Sequence, residues 1–147
     1  MKKLIGNQLT QTQASSPDTP LWAVIAHVKS GEQKRDIVEF LLVKGAEVSP
    51  ILLRVALEKQ DITTAQLLLD RGVSVNDRGY EKSTLLMDVI RWNTAPAATR
   101  RELVKLLLTH GAEVNAQDVQ GRTALSLATQ QGDSEMQELL KQHGAKD

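Results

Sequence analysis

The run Arg101-Glu-Leu-Val-Lys-Leu-Leu-Leu-Thr-His-Gly-Ala-Glu-Val-Asn-Ala-Gln-Asp118, followed by Gly121-Arg-Thr-Ala-Leu-Ser-Leu-Ala128, decides the fold. Leu103, Leu106 and Leu107 stand at i, i+3 and i+4, which draws one apolar stripe along a helix. Gly111 falls where such a helix must stop, because glycine reaches the left-handed cap conformation without a Cβ clash. Val114 to Asp118 read as a turn-rich link. Thr123 then stands where a hydroxyl can accept a backbone N–H and open the next helix.

The string recurs. Ile37-Val-Glu-Phe-Leu-Leu-Val-Lys-Gly-Ala-Glu-Val-Ser49, Ala65-Gln-Leu-Leu-Leu-Asp-Arg-Gly-Val-Ser-Val-Asn76 and Met136-Gln-Glu-Leu-Leu-Lys-Gln-His-Gly-Ala145 are further copies. Their terminating glycines, Gly45, Gly72, Gly111 and Gly144, are spaced by 27, 39 and 33 residues. A period near 33 with Leu-Leu-x-x-x-Gly-Ala and Thr-x-Leu is the signature of an ankyrin array. From about Asp18 to the C-terminus the sequence closely resembles the ankyrin-repeat family. The resemblance implies an all-α solenoid of helix-turn-helix units joined by short hairpin-like links. Residues 17–147 read as one such domain, with approximate repeats 17–49, 50–76, 77–115 and 116–147. Residues 1–16 read as an N-terminal tail or partial cap.

Each repeat departs from the period in its own way. In the first, Asp18 or Thr19 caps a helix that Pro20 opens, and Trp22 to Val28 continue it. Lys29 to Arg35 then add about five residues to the inter-helix turn, and Asp36 to Lys44 form the second helix. The second repeat lacks its hairpin segment, so Ser49 caps directly and Pro50 starts the helix, with Ile62 to Arg71 following. In the third, Lys82 stands where the family favours glycine and Thr84 caps Leu85 to Trp92. Asn93 to Thr99 insert about six residues more. The fourth ends in a polar helix, Ser134 to His143, which reads as the C-terminal cap of a complete protein. The expected continuous core is Phe40, Leu41, Leu67, Leu68, Leu106, Leu107, Leu139 and Leu140, with Ala56 and Ala128.

Composition narrows the function. Eighteen Lys and Arg balance eighteen Asp and Glu, so no basic excess points to nucleic acid or an anionic membrane as partner. There is no cysteine, which removes disulfides and a thiolate nucleophile. No apolar run approaches the roughly 20 residues of a membrane span. Met1-Lys2-Lys3-Leu4-Ile5 begins like a leader, but Gly6-Asn7-Gln8 breaks it. The reading is therefore cytoplasmic, or periplasmic or secreted if a leader has been removed. No nucleophile motif, phosphate loop or metal-spaced histidine pair occurs. We expect no catalytic residue, metal or cofactor. His110 and His143 each precede a terminating glycine, where a cation suits a helix C-terminus.

The resemblance implies recognition of another protein by a concave groove of links and first-helix ends. Carried onto this sequence, that surface is Ala26 and His27; Glu58 and Lys59; Tyr80, Glu81, Ser83, Arg91 and Trp92; and Val119, Gln120, Arg122, Gln130 and Gln131. Tyr80, Arg91 and Trp92 belong to the residue types enriched at interface hot spots. The two insertions are expected to form a second lobe of the interface. The functional reading is a monomeric, non-catalytic interaction module. The alternative is a dedicated inhibitor or immunity-type protein that masks a partner enzyme or toxin. Binding of a small molecule, or catalysis from Glu58, Lys59 or Arg91, ranks behind both.

Overall fold

The computed structural model describes residues 19–147, so the expectations for residues 1–16 and Asp18 lie outside the described residues. Helices dominate, with one isolated bridge, Arg78 to Thr84, among the described residues. The all-α reading holds. The chain divides between Ser74 and Val75 into two compact units.

The first unit holds α1 (Pro20–His27), α2 (Glu32–Val43), α3 (Pro50–Glu58) and α4 (Ile62–Asp70). The expected caps form. Thr19 Oγ1 accepts the Trp22 N–H at 3.3 Å and Ser49 Oγ accepts that of Leu52 at 3.4 Å. Pro20 and Pro50 open their helices, where a missing N–H costs nothing. α1 packs on α2 and α3, α3 on α4, and α2 on α4. Leu21, Ile25, Val38, Leu52, Leu53, Leu57 and Leu68 fill the space between them.

α2 starts at Glu32, four residues earlier than its sequence pattern indicates. Much of the apparent inter-helix insertion is thus helix, and it carries Lys34 into the core. Lys34 Nζ donates to the Ile25 carbonyl at 2.9 Å and pairs with Asp61 Oδ2 at 2.7 Å, both side chains being buried. Asp61 caps α4 by accepting the Thr64 N–H at 3.1 Å and the Thr64 hydroxyl at 2.7 Å. A buried ammonium survives only with such partners. Burial alone would raise the Asp61 carboxyl. Hydrogen bonds from Lys34 and Thr64, and attraction to Lys34, outweigh it and hold the group below its ordinary value. One side chain therefore staples the end of α1 to the start of α4.

The second unit holds a 3₁₀ turn (Tyr80–Lys82), α5 (Leu85–Arg91), α6 (Ala97–Thr109), α7 (Ala124–Gln131) and α8 (Ser134–Gln142). Thr84 Oγ1 accepts the Met87 N–H at 3.2 Å. Thr123 and Ser126 form a reciprocal capping box, and Asp133 caps α8 through the Met136 N–H at 3.0 Å. α5 packs on α6 and α7, α7 on α8, and α6 on α8. Their core is Leu85, Met87, Ile90, Leu103, Leu107, Leu125, Ala128, Met136 and Leu140.

The staple recurs here with arginine. α6 begins at Ala97, behind Pro96, so part of the second insertion is also helical. Arg100 Nη1 donates to the Ile90 carbonyl and to Gln131 Oε1, each at 3.0 Å. Its Nη2 faces Asp133, the cap of α8, at 3.9 Å. Gln131 Nε2 adds a 2.8 Å bond to the same Ile90 carbonyl.

One core expectation fails. Phe40 is 59 % exposed, while Leu41 and Leu67 are half-buried. Leu139, at the same place before its glycine, is buried because α6 lies beside α8. Among the described residues of its unit, no helix precedes the repeat of α2. His110 and His143 stand at the ends of α6 and α8, where Nδ1 of each donates to a last-turn carbonyl, Leu106 O at 2.9 Å and Leu139 O at 3.0 Å.

Candidate protein-interaction surface

In the second unit two links rise to adjacent tips. The first closes through the Gly79 N–H to Ser83 O at 2.8 Å and the Ser83 N–H to Tyr80 O at 3.0 Å. To make that turn, Glu81 and Lys82 both adopt left-handed conformations, with φ of 55° and 57°. Such a geometry is strained for residues with a side chain. The second tip closes through the Asp118 N–H to Arg122 O at 3.1 Å and the Gly121 N–H to Asp118 O at 3.0 Å. Gly121 is left-handed as well, at φ +74°, where glycine is at ease. A Val119 N–H to Glu81 O bond of 3.0 Å joins the two tips.

A charged network lies beneath them. The Asp118 carboxylate is fully shielded. Its Oδ1 accepts the Gln120 and Arg122 N–H groups, each at 2.9 Å. Its Oδ2 accepts Arg91 Nη2 at 2.7 Å and Arg122 Nε at 2.8 Å. Arg91 Nη1 donates to Ser83 Oγ at 2.9 Å, and the Ser83 hydroxyl donates to Asp88 Oδ1 at 2.6 Å. Arg122 also faces Glu81 Oε2 at 3.9 Å. Arg78 braces the outer side, reaching Glu113 Oε2 at 3.1 Å and the Lys82 carbonyl at 3.2 Å. Burial alone would raise the Asp118 carboxyl. Hydrogen bonds from the Arg122 backbone and side chain and the Gln120 backbone, with the Arg122 charge, outweigh it and bring the group down to about 2.

The residues singled out from sequence thus fall into several settings. Tyr80, 88 % exposed, and Val119, 57 % exposed, project from the joined tips. Glu81 and Gln120 are exposed beside them. Arg91, Arg122 and Ser83 are tied into the network below. Trp92 is half-buried at the end of α5, and Gln130 is exposed on α7. Gln131 is occupied in tying α7 to α5. In the first unit, His27 and Lys59 line one shallow depression with Lys29, and Glu58 is exposed beside Lys59. The His27 ring meets Trp22 edge-on at 5.4 Å. Asp118 as the hub was not apparent from sequence, where it reads as a turn-former. The Asp-x-x-Gly spacing up to Gly121 is the local signal; its partner Arg91 lies 27 residues away.

Among the described residues, no cluster of histidine and carboxylate groups could hold a metal ion, and no helix is long and apolar enough to cross a membrane.

Paired antiparallel helices, left-handed glycine stops and hairpin links define a helical repeat protein. A family model described as ankyrin repeats (3 copies) matches residues 24–118 and 95–147, and the chain belongs to the ankyrin-repeat family. Human ankyrin repeat domain-containing protein 63 is 40% identical over 74 residues, half of this chain and 19% of that protein. The mouse protein of the same name is also 40% identical over 74 residues, 18% of its length. A putative ankyrin repeat protein of fowlpox virus is 35% identical over 74 residues, half of this chain and 16% of its own. The chain thus matches less than a fifth of the length of these relatives. Ankyrin repeats are generally protein–protein interaction modules, and proteins of the family are typically binding proteins without enzymatic activity.

Proposed function

We propose that this chain is a non-catalytic module that captures a protein partner on the joined tips of its second unit, with Tyr80 and Val119 as the apolar contacts. The observation that carries this reading is the pair itself: a nearly fully exposed tyrosine beside an exposed valine, on two links that one backbone hydrogen bond holds together. Exposed apolar side chains in adjacent positions favour association, and a rigid tyrosine loses little conformational entropy on contact. The network under the tips supports it by fixing the backbone before a partner arrives, which lowers the ordering cost of binding. Arg122, Gln120 and Glu81 supply a polar rim.

The test is affinity capture from a lysate of the source organism with wild type and Tyr80→Ala/Val119→Ser, read by mass spectrometry. Both side chains are exposed, so the variant keeps the wild-type unfolding midpoint. A partner that wild type holds and the variant loses is the expected result. A partner retained equally by both refutes the assignment of the tips.

A further inference from the structure

The outer face of α2 presents an apolar patch that the tips do not account for. Ile37 is 42 % exposed, Phe40 59 % and Val43 74 %. They are among the exposed large hydrophobic side chains of the described residues, and one helix brings all three together. A packed helix of the same unit type shows what such a face does. Met136, Leu139 and Leu140 stand before Gly144 as Ile37, Phe40 and Leu41 stand before Gly45, and they are buried beside α6. The face of α2 is therefore built like one that receives a helix.

Its charges are arranged about Phe40. Asp36 lies one turn before it and Lys44 one turn after, both exposed. Lys44 Nζ already sits over the Phe40 ring, 5.5 Å from its centroid. When two copies of such a helix pair antiparallel about Phe40 with their 36-40-44 ridges aligned, Asp36 of one copy meets Lys44 of the other, twice by symmetry. Ile37 and Val43 then flank the two phenylalanine rings. A two-fold contact requires a surface complementary to itself, and this sequence of Asp, Ile, Phe, Val and Lys provides it. We propose that α2 is a self-association face, through which two copies of this chain form an antiparallel, two-fold dimer centred on Phe40. The dimer replaces the monomer expected from sequence. It rests on none of the residues of the proposed partner surface, so it stands or falls separately from that reading.

The experiment is sedimentation equilibrium of the full chain at about 100 µM, a concentration at which a small interface associates. The expected mass is twice the 16.2 kDa of one chain. Phe40→Glu gives a monomer with an unchanged circular dichroism spectrum. Asp36→Lys and Lys44→Asp, each of which places like charges together, each weaken the dimer by about tenfold or more. The Asp36→Lys/Lys44→Asp double variant restores it. A wild-type monomer at that concentration, as when residues 1–18 of the same chain cover the face instead, overturns the proposal. So does a dimer untouched by Phe40→Glu, or a double variant no tighter than the singles.

Discussion

Removing the ammonium of Lys34 tests the stapling argument most directly. Lys34→Met keeps an unbranched apolar stem out to Cε but deletes both the 2.7 Å pair with Asp61 and the 2.9 Å bond to the Ile25 carbonyl. Breaking one side of a buried pair costs about 3–5 kcal/mol, chiefly because the remaining charge is left uncompensated. Asp61 retains the Thr64 N–H and hydroxyl, which places the expected loss near the lower end, about 3 kcal/mol. Asp61→Asn preserves an oxygen for the Thr64 N–H but strands the ammonium, at a similar cost of about 3 kcal/mol. The double variant strands neither charge and costs no more than about 4 kcal/mol, so the cycle returns a coupling of about 2 kcal/mol or more. Urea unfolding at neutral pH, followed by helical circular dichroism, measures all four proteins. A loss below about 1 kcal/mol for Lys34→Met, or strict additivity of the two changes, refutes the reasoning, because neither is compatible with a desolvated ion pair.

Two further outcomes follow from the tips. The Asp118 carboxyl is depressed to about 2 in the folded state, so its stabilisation is complete above the ordinary carboxylate range and is lost as pH falls from about 4 to 2. Asp118→Asn is accordingly less stable than wild type at neutral pH, and urea midpoints measured downward through that window show the gap closing; a gap independent of pH contradicts the assignment. Lys82→Gly relieves one left-handed residue and keeps the carbonyl that Arg78 holds, so it raises stability by about 0.5–1 kcal/mol in the same urea assay. A destabilised Lys82→Gly shows that the lysine side chain has a packing role at the tip.

The repeat signal made the helix pairs legible because it is local. Leu-Leu-x-x-x-Gly marks an apolar stripe and its stop within one segment, and Thr84, Ser49 and Thr123 each cap a helix of their own. The insertions stand out in the sequence as extra inter-helix residues because they are counted against a period, which measures length and not conformation. Glu32 and Ala97 begin helices inside them, since Lys34 and Arg100 have partners far along the chain that no local pattern displays. Phe40 carries the same apolar pattern as Leu139, yet one is exposed and the other buried. Pattern reports the face of a helix, whereas burial depends on whether a neighbour lies there. At the candidate surface, the tip positions were legible from register, while the Asp118 hub depends on Arg91 meeting it across 27 residues.

The two staples bear on how such a chain can change over generations. Lys34 answers to Asp61, and Arg100 to Asp133, so in each case the basic group and its carboxylate sit in successive repeats. Copying or deleting one repeat alone leaves a buried cation facing an empty place, or a capping aspartate without its counter-ion. Copying two together carries a matched set. The heritable module of this chain is therefore the repeat pair, and its length is expected to grow or shrink in steps of two.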